Sequence, residues 1–306
     1  MADVEQPDEG LALPHRGFQS LRSLFLNGQG LRAGWRVAIF IAIYQGLHVA
    51  GFAVLQSWNL LAVEQPISTM ACLIQEGWEL SCVVAATGVM ARLERRTLLS
   101  FGFIDRFAWV RWLSGAVWGL ICLSAVIGFM SQCGFIVFEG RALDTPEAWR
   151  SALEWVLICL VIGIFEESLL RGYLQHALSR ALGFWPATWL LSTAFALWHL
   201  DNAGESLFGL LVVGAGGLVF CLSLWYTKSL YWAVGFHAGW DWGQSYLYGT
   251  PDSGVTVQGH LFVTHPVGNP LWSGGSTGPE GSLCMLPLLM LMAVGMWTWW
   301  GRRAGK

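Results

Sequence analysis

Three clusters of ionisable residues sit where the surrounding sequence is almost wholly apolar. Glu166 and Glu167 directly follow the run WVLICLVIGIF, and Arg171 comes one helical turn later. Residues at i and i+4 share a helix face, so Glu167 can pair with Arg171. Glu166 points about 100° away, and its i+4 neighbour is Leu170. One carboxylate therefore has an arginine to neutralise it, and the other lacks a local counter-charge. Phe195 and His199 have the same spacing in STAFALWHL, as do His237 and Asp241 in GFHAGWDWG. In the last pair the carboxylate can orient or charge the imidazole. Taken singly, each cluster has a plain structural reading: an interfacial charge pair, a satisfied core histidine, a chance spacing. Inside a membrane, however, such side chains are costly and mark functional sites by default.

Peptide hydrolysis needs a base to activate water, donors at the oxyanion and an acid for the leaving amine. Glu166, His199 and His237 can supply all three. The same three residues, two histidines and a carboxylate, are also an adequate catalytic zinc set, although no H-E-x-x-H is present. A divalent metal such as zinc stays open beside metal-free catalysis.

The elements that must hold these groups are membrane helices. The chain has 306 residues, 55% of them hydrophobic and 12% charged, with mean hydropathy +0.51. A water-soluble domain carries about 25% charged residues. The 19 tryptophans fit a lipid–water interface. Eight windows approach the ~20 apolar residues of a spanning helix: 36–56, 67–90, 112–138, 150–170, 186–200, 205–226, 230–248 and 283–300. This predicts an all-α polytopic membrane bundle; the location expected for it is a bacterial inner membrane. With the N-terminus in the cytoplasm, all Lys and Arg except Arg141 and Arg150 fall on the cytoplasmic side, as the positive-inside rule requires. Both termini are then cytoplasmic.

The fourth span continues as the amphipathic RGYLQHALSRALG, and a turn near Gly183 follows. Glu166 lies 17 residues before that turn and His199 lies 16 after it, which places both about 25 Å along an antiparallel hairpin. His237 lies only roughly 12 Å past the loop at Lys228, so helix tilt or a cavity must close the difference. Residues 16–36 read as an interfacial helix. Residues 249–282 are rich in Gly and Pro, lack Lys and Arg, and read as an external loop, a connector in preference to a lid. The run GLLVVGAGG (209–217) suits close helix packing. The chain divides into an N-terminal segment with two spans (1–110), a polar-bearing core (111–250), and an outer loop with a last span (251–306). The acidic N-terminus has no apolar h-region and does not read as a cleavable signal peptide. Seven cysteines in or beside apolar segments show no C-x-x-C and read as small hydrophobes.

In their order the three clusters resemble the CPBP family, the type II CAAX prenyl endopeptidases with their bacteriocin-processing and immunity relatives. The family pattern E-E-x-x-x-R, F-x-x-x-H, H-x-x-x-N/D matches Glu166, Glu167 and Arg171; Phe195 and His199; His237 and Asp241. Looser similarity extends to FLNGQGLRAGWR, LERRTLLSFGF and TGPEGSL. The resemblance implies an eight-helix fold around an intramembrane cavity. Glu166 with His199 would activate a water, and His237 with Asp241 would face the oxyanion. Glu167 and Arg171 would hold the first motif in place. An ionised Asp241 cannot donate to an oxyanion; either it is protonated or it acts on His237. The implied partners are membrane lipid and a membrane-tethered or prenylated peptide, with no nucleic acid.

Other intramembrane charges are secondary. Glu76 and Glu79 are the runner-up site. Asp201 and Glu205 read as a helix exit, His176 as interfacial, and His260 and His265 as loop residues without an obvious partner. A non-catalytic immunity or scaffold protein of the same fold is the alternative function. A proton-coupled transporter would also bury Glu and His, but neither an inverted repeat nor paired broken helices can be read in the chain.

Overall fold

A computed structural model describes residues 26–27, 30–61 and 66–302. A run of apolar helices turns back and forth: α1 (Ala33–Ser57), α2 (Thr69–Leu93), α3 (Ala108–Gln132), α4 (Thr145–Glu167), α5 (Gln175–Leu182), α6 (Phe184–Trp198), α7 (Leu207–Thr227), α8 (Tyr231–Asp241), the one-turn α9 (Pro270–Ser273) and α10 (Met285–Met296). Three of the long helices, α2, α4 and α7, start on a capping side chain. The side chains of Ser68, Asp144 and Ser206 accept the N–H groups of Ala71, Glu147 and Gly209, satisfying donors that no helical carbonyl can reach. The reversal between α5 and α6 falls on Gly183, at φ +92°, a conformation that only glycine adopts without strain.

The connections gather at two opposite ends of the bundle. At one end the Arg36 guanidinium lies 3.5 Å from Glu94, Tyr173 donates to Glu94 at 2.6 Å, and Arg111 donates to the Thr227 carbonyl at 3.1 Å. At the other, β3 (Ile136–Arg141) pairs antiparallel with β4 (Phe262–Pro266), and Ile67 bridges Val257. Among the described residues, three helices, α1, α3 and α7, are long and apolar enough to cross a membrane by length and composition alone. Large apolar side chains such as Leu153, Leu211 and Leu291 are about 70% exposed on the outer surface, a pattern that water disfavours and lipid permits.

Two expectations from the sequence are corrected. The window 112–138 is not one helix: α3 stops at Gln132, Gly134 takes φ +75°, and the β-branched and aromatic run from Ile136 forms a strand against the distant loop. Of the helix expected over 16–36, the described residues show helix only from Ala33. Before it β1 (Leu26–Asn27) pairs with β2 (Gly30–Leu31); residues 16–25, 28 and 29 lie outside the described residues. A third difference is in helix type. Both α4 and α8 pass into wider π-helical turns, Ser168–Leu174 and Trp242–Tyr248, directly after their acidic residues, and Gly172 leaves helical geometry altogether. Such widened turns cluster at functional sites.

The closest packing holds α8. A Cβ on Gly115 or Gly119 would lie 2.3 or 2.2 Å from the carbonyl oxygens of Trp232 and Phe236. Reciprocally, a Cβ on Gly235 or Gly239 would meet those of Trp112 and Ala116 at 2.0 and 2.1 Å. Two Gly-x-x-x-Gly faces therefore let the backbones of α3 and α8 touch. On its other flank, α8 comes within 2.9 Å of a Cβ built on Gly163 of α4. His237 lies between Gly235 and Gly239, so its register is set by backbone contact.

Candidate active site

Glu166 and Glu167 end α4, and Arg171 follows within the π turn. Arg171 donates to Glu167 Oε1 at 3.0 Å, with both side chains almost wholly sealed from solvent (1% and 0% exposed). The guanidinium also lies over the rings of Phe195 and Phe220, at 4.6 and 5.5 Å. Space for it comes from the small-residue run of α7, since a Cβ on Gly217 would fall 2.7 Å from Arg171 Nη2.

His237 closes the cluster. Its Nδ1–H donates to Glu167 Oε1 at 3.3 Å, and its Nε2 lies 3.5 Å from Glu166 Oε2 and 3.6 Å from Asp241 Oδ2. The ring stacks on Phe220 at 5.5 Å. Glu166 Oε2 is buried and accepts no hydrogen bond, so it retains free acceptor capacity beside the imidazole. The depth difference read from the sequence is thus closed between α4 and α8.

His199 stands apart from this contact set. It caps α6, where its Nδ1–H donates to the Phe195 carbonyl at 2.9 Å and its ring meets Phe195 edge-on at 4.7 Å. That bond leaves Nε2 as the nitrogen available for proton transfer. His199, Glu166, His237 and Asp241 all line one cavity of about 680 Å³. Glu167 and Arg171 lie behind its wall. A second cavity of about 580 Å³, near Val83, Trp109 and Ile164, has neither histidine nor carboxylate in its lining. Among the described residues, no three His, Cys, Asp or Glu side chains are arranged to hold a metal ion. No step below passes through a metal.

The sequence did not mark everything on this cavity. Opposite the cluster, Tyr44 donates to Glu79 Oε2 at 2.7 Å, and His48 Nδ1 holds Glu79 Oε1. His48, Gln75, Glu76 and Glu79 all line the cavity. His48 was legible as an ionisable residue inside the apolar window 36–56. The segment 249–282 is no free connector either: Asp252, Ser253, Val255, Val257 and Glu280 form part of the cavity wall. Burial first, then the facing carboxylates of Asp241 and Glu280, hold the Asp252 carboxyl well above the usual range. Glu205 lies just before α7, where its Oε1 accepts the Ser206 N–H at 2.6 Å. His265, expected to lack a partner, lies 3.1 Å from Glu139 across the β3–β4 pair. His260 Nδ1 reaches the Val257 carbonyl at 3.3 Å.

A helical bundle of this kind, apolar outside and lined within by carboxylates and histidines, is an integral membrane protein with a polar cavity. Residues 148–243 match the family described as type II CAAX prenyl endopeptidase, Rce1-like. This segment is an Rce1-like domain, and it contains all three clusters, in agreement with the CPBP resemblance. No curated protein matches the chain. The family consists in general of membrane proteases.

Proposed function

We propose that the protein is an intramembrane endopeptidase that hydrolyses a peptide bond in a membrane-tethered or lipidated protein. Glu166 with His199 takes the proton of the attacking water. The Nε2–H of His237, which no carboxylate approaches closer than 3.5 Å, donates to the oxyanion. Asp241 acts on His237 and not on the substrate, since its Oδ2 faces that same nitrogen. Glu167 and Arg171 fix the end of α4. The observation that carries this reading is the shared cavity, where Glu166, His199, His237 and Asp241 meet one volume.

In this proposal the chain crosses the membrane eight times with both termini in the cytoplasm. The family's substrates are prenylated peptides at the membrane, and a membrane-embedded cavity suits any tethered segment of similar chemistry. The test compares protein C-termini in membranes from cells carrying wild-type or Glu166→Ala protein. Truncated C-termini confined to the wild-type sample support the reading. Identical C-termini, with the cellular phenotype also retained by a Glu166→Gln, His199→Ala double variant, would leave a non-catalytic scaffold in its place.

A further inference from the structure

Glu280 belongs to none of the three clusters, yet it ties together the segments that carry two of them. Its Oε1 accepts the indole N–H of Trp240 at 2.9 Å, one residue before Asp241. Its Oε2 accepts both the backbone N–H and the hydroxyl of Ser253, at 3.1 and 2.5 Å. Three donors on one carboxylate fix its position on both oxygens. Ser253 is in turn joined to the end of α6. Its carbonyl accepts the side-chain N–H of Asn202 at 2.7 Å, and the neighbouring Gly254 carbonyl accepts the Gly204 N–H at 3.1 Å. Asn202 follows His199 by one 3₁₀ turn, and its own N–H bonds the His199 carbonyl at 3.1 Å.

The chain around Glu280 is shaped for this contact. Gly278 takes φ +92°, and a Cβ there would lie 2.0 Å from the Pro251 carbonyl oxygen. Gly204 leaves no room for a Cβ either, which would meet the carbonyls of Gly254 and Ser276 at 2.6 and 2.7 Å. Ser276 donates to the Gly204 carbonyl at 2.7 Å, and Gly254 donates to Thr277 at 3.0 Å. Residues 199–205, 251–255 and 274–281 thus form one knot at the loop end of the bundle, with the Glu280 side chain at its centre and the cavity on its inner side.

We propose that Glu280 is a positioning residue: it fixes the His199-bearing end of α6 relative to His237 and Asp241 on α8, through Ser253 and Asn202. The inference rests on the protease reading for its effect on turnover, but not for its geometry. Losing the anchor lets His199 drift from Glu166, and a displacement of ~1 Å costs up to about 100-fold in rate.

The experiment uses the full chain in lipid nanodiscs, as wild type, Glu280→Ala, Glu280→Gln, Trp240→Phe and the Trp240→Phe, Glu280→Gln double variant. Turnover is measured on a peptide taken from a C-terminus found to be cleaved, and amide exchange is followed at 199–206 and 251–256. Glu280→Ala should lower kcat roughly 10- to 100-fold with KM nearly unchanged, and exchange should rise in both segments. Glu280→Gln keeps an acceptor for Ser253 and should fall in between. Trp240→Phe should not add to Glu280→Gln, because both break one bond. Faster exchange at 251–256 alone would overturn the proposal, as would lost turnover with unchanged exchange, which would place Glu280 in the chemistry itself. If wild type cleaves nothing, the exchange results still decide the positioning claim, and only the protease reading fails.

Discussion

Arg171 and Glu167 form an ion pair sealed from water, at 3.0 Å and nearly zero exposure. A buried pair is worth little beyond an apolar substitute, but a single unpaired charge in its place is expensive. Arg171→Met should therefore cost about 3–5 kcal/mol of stability, while the Glu167→Gln, Arg171→Met double variant should recover much of the loss. Thermal unfolding of the three proteins in one detergent checks this. Asp252 gives a prediction in pH. Its carboxyl is held well above the ordinary range by burial and then by Asp241 and Glu280, so the folded chain binds this proton more tightly than the unfolded one. Its contribution is complete below the ordinary carboxyl pKa of about 4 and is lost as pH rises through the folded value. Asp252→Asn should flatten that slope and raise the melting temperature most at alkaline pH; an unchanged slope would contradict it. The clustered residues were legible because ionisable groups in apolar runs need a reason. The Glu167–Arg171 pair in particular follows from i, i+4 spacing. Tyr44 and His48 were harder to read, since their partner Glu79 comes from another helix and spacing within one helix cannot reveal it.

Helix contacts set where those residues meet. The α3–α8 crossing depends on Gly115, Gly119, Gly235 and Gly239, each with a backbone carbonyl where a Cβ would go. Gly239→Ala should force the helices apart, costing roughly 1–3 kcal/mol and carrying His237 away from Glu166. Gly128→Ala, with nothing within 4 Å of its Cβ, should change stability by no more than about 1 kcal/mol. Equal melting shifts for the two variants would refute this packing account. The helices were legible from apolar length, with boundaries displaced by a few residues. The π turns after Glu167 and Asp241 were not, because apolar periodicity does not separate an i+4 from an i+5 turn over seven residues. Strand β3 was absorbed into a helical window because its partner β4 lies more than a hundred residues away.

At the scale of the molecule, the segregation of arginines predicts which end faces the cytoplasm. Cys133 is exposed at the end that carries the β3–β4 pair, and Arg106 lies in the turn before α3 at the other. In right-side-out vesicles an impermeant maleimide should label Cys133 directly, and should label Cys introduced by Arg106→Cys only after permeabilisation. The reverse pattern would invert the topology. The long segment 249–282, read as a connector, was the largest misreading. Its Gly- and Pro-rich composition is that of a connector, yet its residues Asp252, Ser253 and Glu280 wall the cavity. Length alone was the available clue, since loops beyond about 12–15 residues in compact folds usually have a function of their own.

The central claim is that Glu166 and His199 activate water in the shared cavity. Its most direct measurement is single-turnover cleavage of an identified substrate peptide by purified wild type, Glu166→Gln and His199→Ala in nanodiscs. Both variants should melt as wild type does and lose about 10²- to 10⁴-fold in rate, the usual contribution of a general base. Cleavage by Glu166→Gln at the wild-type rate would contradict the account.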